Sequence, residues 1–247
     1  MNILWLTDIH LDYLFPKERK AFLSSLGRTD PEVVIVGGDI SNAGSLEDDL
    51  RAIRKATNAP VYFVLGNHDY FGSSFAAVRE KIKKLVQEWN ALHWLENMSY
   101  VNLSKEVALL GHGCWGDAGV GSYWKSYLRK EMPDFRWIAD LKVMDSKERL
   151  EFLKQLGEEA ARHLRESCLA AARQLRHVIV LTHVPPFPQS LVKDGKTDEA
   201  GLPFFCCLSA GKALQEVAEA HPRVRFTVCQ VTRTRNQRFG YCKTSKP

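Results

Sequence analysis

Asp8, His10, Asp39, Asn67, His68, Asp69 and His183 are the side chains of this sequence best suited to bind cations and move protons. Each lies in a short polar cluster that ends an apolar, strand-like run. Asp8-Ile9-His10 follows Met1 to Thr7, and Gly37-Gly38-Asp39 follows Val33 to Val36. Gly66-Asn67-His68-Asp69 follows Val61 to Leu65, and His183 follows Val178 to Thr182. Residues two apart on an extended strand end point to the same side, so Asp8 and His10 can meet one metal ion. Two divalent cations about 3.5 to 4 Å apart need hard and borderline ligands from several directions, with one carboxylate bridging them. Asp39 suits the bridge, Asn67 offers a neutral oxygen and His183 a nitrogen. A hydroxide shared by the two ions would attack phosphorus in line, because metal binding lowers the pKa of water from about 15.7 to about 7. His68, beside Asn67 but not spent on metal, suits protonation of the leaving oxygen, with Asp69 holding its ring.

The elements that must position these residues alternate. Strand-like runs near 2–7, 32–37 and 61–65 are separated by helical patterns near 17–27 and 46–57, and a third helical pattern covers 74–92. Such alternation predicts α/β layers, with the polar clusters on loops at strand C-termini, where α/β sheets gather ligands. A hairpin is predicted from 100–103 and 107–110. Residues 111–144 form a Gly- and Trp-rich insert without periodicity, read as a substrate-side loop. A long helix over 145–175 follows, capped by Asp145 or Ser146 with Glu148 in its first turn. A strand at 177–182 delivers His183, a helix covers about 209–220, and a fifth strand covers 224–228.

A chain of 247 residues with 45% hydrophobic content can bury one substantial core. No apolar stretch approaches the ~20 residues of a membrane span, and no basic region or cleavage site accompanies the first apolar run. The expectation is a cytoplasmic protein without membrane association. Cys114, Cys168, Cys206, Cys207, Cys229 and Cys242 show neither C-x-x-C spacing nor a disulfide framework, which argues against a zinc knuckle and a stapled secreted domain. The net charge of +5 equals the five basic residues, and no acidic ones, found in 229–247; residues 1–228 are therefore formally neutral. A nucleic-acid partner is consequently disfavoured.

Weaker signals are read first as structure. His112 and Trp115, in the loop from Gly111 to Asp117, are weak substrate-binding candidates, with packing of Trp115 at least as good an account. His93, His163, His177 and His221 lack a partnered pattern.

Asp8-x-His10, Gly38-Asp39, Gly66-Asn67-His68-Asp69 and Thr182-His183 together resemble the calcineurin-like metallophosphoesterase family, in order and context, over residues 1–229. The resemblance implies a metallophosphoesterase-type β-sandwich flanked by helices, in α/β/β/α layers. It also implies Asp8 and His10 on one metal, Asp39 bridging, Asn67 and His183 on the other, and His68 as catalytic acid. The implied cofactors are two divalent ions of the Mn, Fe or Zn class, and the implied substrate is a phosphomonoester or phosphodiester.

Family members close the site with Gly-His-x-His. Here that place reads Gln230-Val231-Thr232-Arg233-Thr234, where Arg233 sets a fixed positive charge and no imidazole follows. Cys229 to Thr234 can be back-translated as TGC CAG GTC ACA CGC ACG, whose frame two bases later reads Pro-Gly-His-Thr-His. The hypothesis is that the reading frame slips near Val228, leaving one domain at 1–229 and an aberrant, disordered basic tail at 230–247. Codons around 228 that are incompatible with Gly-His-Thr-His in the second frame would remove it. The leading expectation is a metal-dependent phosphoesterase impaired by loss of two histidine ligands. The alternative is a catalytically dead phosphate- or partner-binding protein of the same fold.

Overall fold

In the computed structural model, which describes residues 1–193 and 196–230, two sheets pack between two helical layers. The first sheet is all parallel, in the order β1 (Ile3–Leu6), β2 (Val33–Gly37), β3 (Val61–Val64), β4 (Leu92–Trp94). Helices α1 (Pro16–Gly27), α2 (Leu46–Thr57) and α3 (Phe75–Glu88) make its crossovers. The second sheet begins with the antiparallel pair β5 (Val101–Asn102) and β6 (Val107–His112), which is the hairpin predicted from sequence. Three short helices, α4 (Leu128–Glu131), α5 (Asp134–Trp137) and α6 (Ala139–Val143), occupy the insert. They lead into α7 (Ser146–Ala172) and β7 (His177–Thr182), parallel to β6. The small hairpin β8 (Val192–Lys193) and β9 (Lys196–Thr197), then α8 (Leu202–Phe205) and α9 (Leu208–Ala220), precede β10 (Arg225–Cys229), parallel to β7.

Period-two alternation sorts the core into layers, as strands buried on both faces require. Val34 and Val36 of β2 face the helices of the first layer, while Val33 and Ile35 face the other sheet. On β7, Val178 and Val180 pack under α7 and α9, whereas Ile179 and Leu181 meet the first sheet. The inter-sheet layer of Val33, Ile35, Val64, Leu109 and Leu181 makes the molecule an α/β/β/α sandwich, the fold class implied by the resemblance.

Helix ends follow local chemistry. The Asp145 carboxylate accepts the Lys147 and Glu148 N–H groups at 2.7 and 2.9 Å, and Glu148 accepts the Asp145 N–H in return, closing a capping box. Along α7, Leu153, Leu156, Ala160 and Leu164 form the buried stripe read from their spacing. The helix predicted over 74–92 is shorter: α3 stops at Glu88, and Leu92-His93-Trp94 adds a fourth strand beside β3. There Leu92 and Trp94 are buried on one face while the His93 ring stacks on Tyr62 on the other, so alternation overrides the preceding helical run.

The predicted tail lies, from residue 231 on, outside the described residues, as do four of the five positions, 230–234, where the resemblance would put Gly-His-x-His. No helix among the described residues is long and apolar enough to cross a membrane.

Candidate functional site

The first three polar clusters leave adjacent ends of β1, β2 and β3, and His183 leaves β7 of the other sheet. Main-chain bonds carry the pairing of β1 and β2 into these loops: Asp8 N–H to Gly38 C=O at 3.2 Å, His10 N–H to Asp39 C=O at 3.0 Å. Asp8, His10 and Asp39 hold positive φ of 50°, 41° and 49°, a conformation that costs non-glycine residues and gathers at functional sites. Two glycines permit the close approach of the loops. A Cβ on Gly66 would run into the Asp39 carboxylate and lie 2.8 Å from His183 Cε1; one on Gly38, at φ 87°, would lie 2.8 Å from His183 Nδ1.

Asp39 is the centre of the cluster. Its Oδ2 lies 3.7 Å from His10 Nε2, and its Oδ1 lies 3.4 Å from His183 Nε2 and accepts the His68 N–H at 2.9 Å. His183 Nδ1 lies 2.9 Å from the Gly37 carbonyl, which can only accept, so that nitrogen carries hydrogen and Nε2 faces the cluster, 3.2 Å from Asn67 Oδ1. Two groups of ligand atoms result, His10 with Asp39 and His68, and Asp8 with Asp39 and His183; within each, the atoms lie within 4.8 Å of one another.

The electrostatics suit a cation. Burial pushes the Asp8 carboxyl above its ordinary range, helped by the charge of Asp39 and opposed by His183, the Thr7 hydroxyl and His10. Burial pulls the His183 imidazole down, but Asp39, Asp8 and the Gly37 carbonyl more than offset it and leave it raised. Two carboxylates crowded among imidazoles, one shared by both groups, are the donor set that divalent ions satisfy, and metal binding would displace the His183 proton. The donor types present therefore suit divalent ions, but the grouping differs from the implied one: Asp8 lies with His183 rather than with His10, and His68 lies among the candidate ligand atoms beside His10.

His68 is held by rings. It stacks on Phe71 at 4.2 Å and meets His10 edge-on at 4.6 Å, with the Tyr13 hydroxyl 3.3 Å from Nδ1. Burial lowers its pKa against the pull of Asp39, with the neighbouring imidazoles of His10 and His183 adding to the fall. Asp69, expected to hold that ring, does something else. It is fully buried, and its carboxylate accepts the Ile40 and Ser41 N–H groups at 2.9 Å each and the Gly66 N–H at 2.8 Å. It ties the Asp39 loop to the Asn67 loop, and this replaces the orienting role read from sequence adjacency.

Trp115 lines the cavity that contains Asp8, Asp39, Asn67 and His183, a volume of about 180 Å³. His112 does not. It lies in a separate cavity of about 260 Å³ with Arg79, Glu96, Glu159 and His163, its Nε2 3.9 Å from Glu96 Oε2. His112 ends β6 and lines that second cavity rather than the one with Asp8 and Asp39, so its placement lends no support to a substrate contact at the cluster.

One acidic residue of the cavity carried no sequence signal. Asp134, at the start of α5 in the insert, is 3% exposed and lines the cavity with Asn67. Its Oδ2 has no hydrogen-bond partner among the described residues. Burial pushes Asp134 up to about 7.

An α/β/β/α sandwich with an Asp–His–Asn cluster where strands from both sheets end is the layout of a metal-dependent hydrolase. The sequence profile described as calcineurin-like phosphoesterase matches residues 1–208, and the chain belongs to that family. Among solved structures it is similar to the phosphopantetheinyl hydrolase of Mycobacterium tuberculosis, at 15% identity and a TM-score of 0.63, over 93% of this chain and 81% of that one. It also matches TT1561 of Thermus thermophilus, at 12% identity and a TM-score of 0.47, over 92% and 80% of the two chains. The likeness to the phosphopantetheinyl hydrolase is one of fold. No curated protein sequence matches.

Proposed function

We propose that this chain is a phosphoesterase using two divalent ions of the Mn, Fe or Zn class, held by Asp8, His10, Asp39, Asn67 and His183, with Asp39 shared between them. The observation that carries the reading is that Asp39 belongs to both groups of candidate ligand atoms, with His10 and His68 in one and with Asp8 and His183 in the other; of these, we assign His68 to proton transfer rather than to metal. When bound, the ions would supply Lewis acidity and a water made nucleophilic near neutral pH. In the hydrolysis, water contributes the new P–O bond, the bond to the leaving oxygen breaks, and that oxygen leaves with a proton as an alcohol. His68 borders the cavity and is the group we assign to deliver the proton. Its pKa is depressed in the free chain, and the negative charge of an entering phosphoester favours the imidazolium form. Asp69 acts at one remove, by fixing the two loops that carry Asp39 and Asn67.

The missing Gly-His-x-His supports a second reading, a phosphate-binding protein without turnover, because two imidazoles of the family's set are absent from the sequence. One experiment separates the two. Turnover of an aryl phosphate with added Mn, abolished by Asp39→Asn, together with bound metal, supports the phosphoesterase. Phosphate binding with no bound metal and no turnover at saturating Mn would refute it in favour of the second reading.

A further inference from the structure

We propose that the site selects phosphate esters whose group next to phosphorus is compact, apolar and uncharged, and turns away esters that carry further anionic groups. This rests on the phosphoesterase reading of the same cavity and names its substrate class. The cavity has one polar end, formed by Asp8, Asp39, Asn67 and His183. Its remaining wall comes from the insert and from the segment after His183: Trp115, Met132, Leu191, Phe204 and Phe205. Four of these are nearly covered, at 7% for Trp115, 6% for Met132, 3% for Leu191 and 6% for Phe204. Among the described residues no lysine or arginine lines the cavity. A site for polyphosphates or nucleic acid would place cations there, because each additional phosphate must be neutralised.

Asp134 adds one polar contact. It sits in this wall, buried, with Oδ2 unpartnered. A hydroxyl or amide N–H on the substrate would find an acceptor there. The cavity, about 180 Å³, must hold the phosphoryl group and the ions as well as what lies next to phosphorus, so it encloses only a compact group there and not a nucleoside polyphosphate. In the reaction, water and the ester give phosphate, or its monoester, and the apolar alcohol.

The test is a ligand series on the full chain with Mn, read by calorimetry: methylphosphonate, phenylphosphonate and phosphonoacetate. The expected result is phenylphosphonate bound at least about tenfold more tightly than methylphosphonate, since a buried ring contributes that much, and phosphonoacetate bound more weakly than methylphosphonate. Phe204→Ala should shrink the phenyl preference. These are ratios within one variant, so a general loss of metal affinity leaves them readable. Phenylphosphonate binding no tighter than methylphosphonate overturns the proposal, as does AMP turned over as efficiently as phenyl phosphate; the latter leaves the phosphoesterase reading intact. A clear phenyl preference with no turnover of any ester sinks catalysis and supports the pocket assignment.

Discussion

Replacing Asp69 by alanine tests whether this carboxylate serves the backbone or the His68 ring. Truncation strips the acceptor from three main-chain N–H groups, those of Ile40 and Ser41 at 2.9 Å and Gly66 at 2.8 Å. Each buried donor left unpaired costs about 1–3 kcal/mol, a gross loss of about 3–9 kcal/mol. Part of this is returned, because burial opposes the charged carboxylate and pushes it up to about 8. Single substitutions rarely exceed about 4–5 kcal/mol, so the expected net loss is about 3–4 kcal/mol. Asp69→Asn keeps an oxygen for Ile40 and Ser41 but sets an NH₂ against the Gly66 N–H, and should fall near half of that, about 2 kcal/mol. Urea unfolding at neutral pH, with a chelator present to remove any contribution from metal, measures both, provided the slopes match wild type. If Asp69→Ala unfolds within about 1 kcal/mol of wild type while turnover collapses, the backbone account is wrong and the carboxylate acts on the ring.

Other outcomes follow from the same contacts. Arg19 donates to Asp49 Oδ1 at 2.9 and 2.5 Å, and Asp49 is 2% exposed, so Arg19→Met should strand a buried charge and cost about 2–3 kcal/mol in thermal unfolding. A change under about 0.5 kcal/mol would mean that the Ser41 hydroxyl, 2.6 Å away, suffices for Asp49. Gly66→Ala should displace Asp39 and lower Mn-dependent turnover by about 100-fold, with weakened Mn binding as its signature; undiminished Mn affinity would count against the packing argument. Burial raises the Glu96 carboxyl, but His112, Arg79 and the Leu65 and Gly113 N–H groups more than reverse this, and its folded value lies below the ordinary one. Its contribution is therefore complete above the unfolded value of about 4.3 and is lost as pH falls through the folded value. Glu96→Gln should be less stable than wild type near neutral pH, with a gap that closes in acid; a gap independent of pH would refute the assignment.

The parts legible in the sequence are those carried by periodicity and by strand-end clusters. Val33 to Val36 reads as a strand buried on both faces and is one, and the α2 bounds read from sequence match the helix found. β4 was hidden because Trp89 to Trp94 continues an apolar helical stretch, and only the neighbour β3 makes its alternation pay. Asp8, Asp39 and His183 could be gathered because a common position at strand ends brings residues far apart in sequence to one rim. Asp134 could not be, since the insert lacks a period and α5, which carries it, is held by contacts of Phe135 with Phe204 and Arg149 rather than by local pattern. Asp69 was misread for a related reason. Adjacency to His68 suggests a shared task, but consecutive residues of a tight turn point apart, and the buried one finds the backbone.

The seam between the sheets explains why a residue outside the cavity can govern it. Asp8, His10, Asp39 and Asn67 belong to the first sheet and His183 to the second, so their mutual geometry depends on how the sheets are registered at this end. Glu96 spans that seam: its Oε1 accepts the Leu65 N–H at 3.2 Å, just before the Asn67 loop, and the Gly113 N–H at 3.0 Å. The Gly113 carbonyl in turn accepts the His183 and Val184 N–H groups at 3.2 and 2.9 Å. One buried carboxylate thus links the strand end that presents Asn67 to the one that presents His183. A shift of the sheets would lengthen the 3.2 Å contact between those two side chains before it disturbed the apolar layer, because directional bonds fail over smaller displacements than packing does. The Glu96 network therefore holds together the strand ends that carry Asn67 and His183, and Glu96→Gln should weaken Mn binding at neutral pH, where the fold persists.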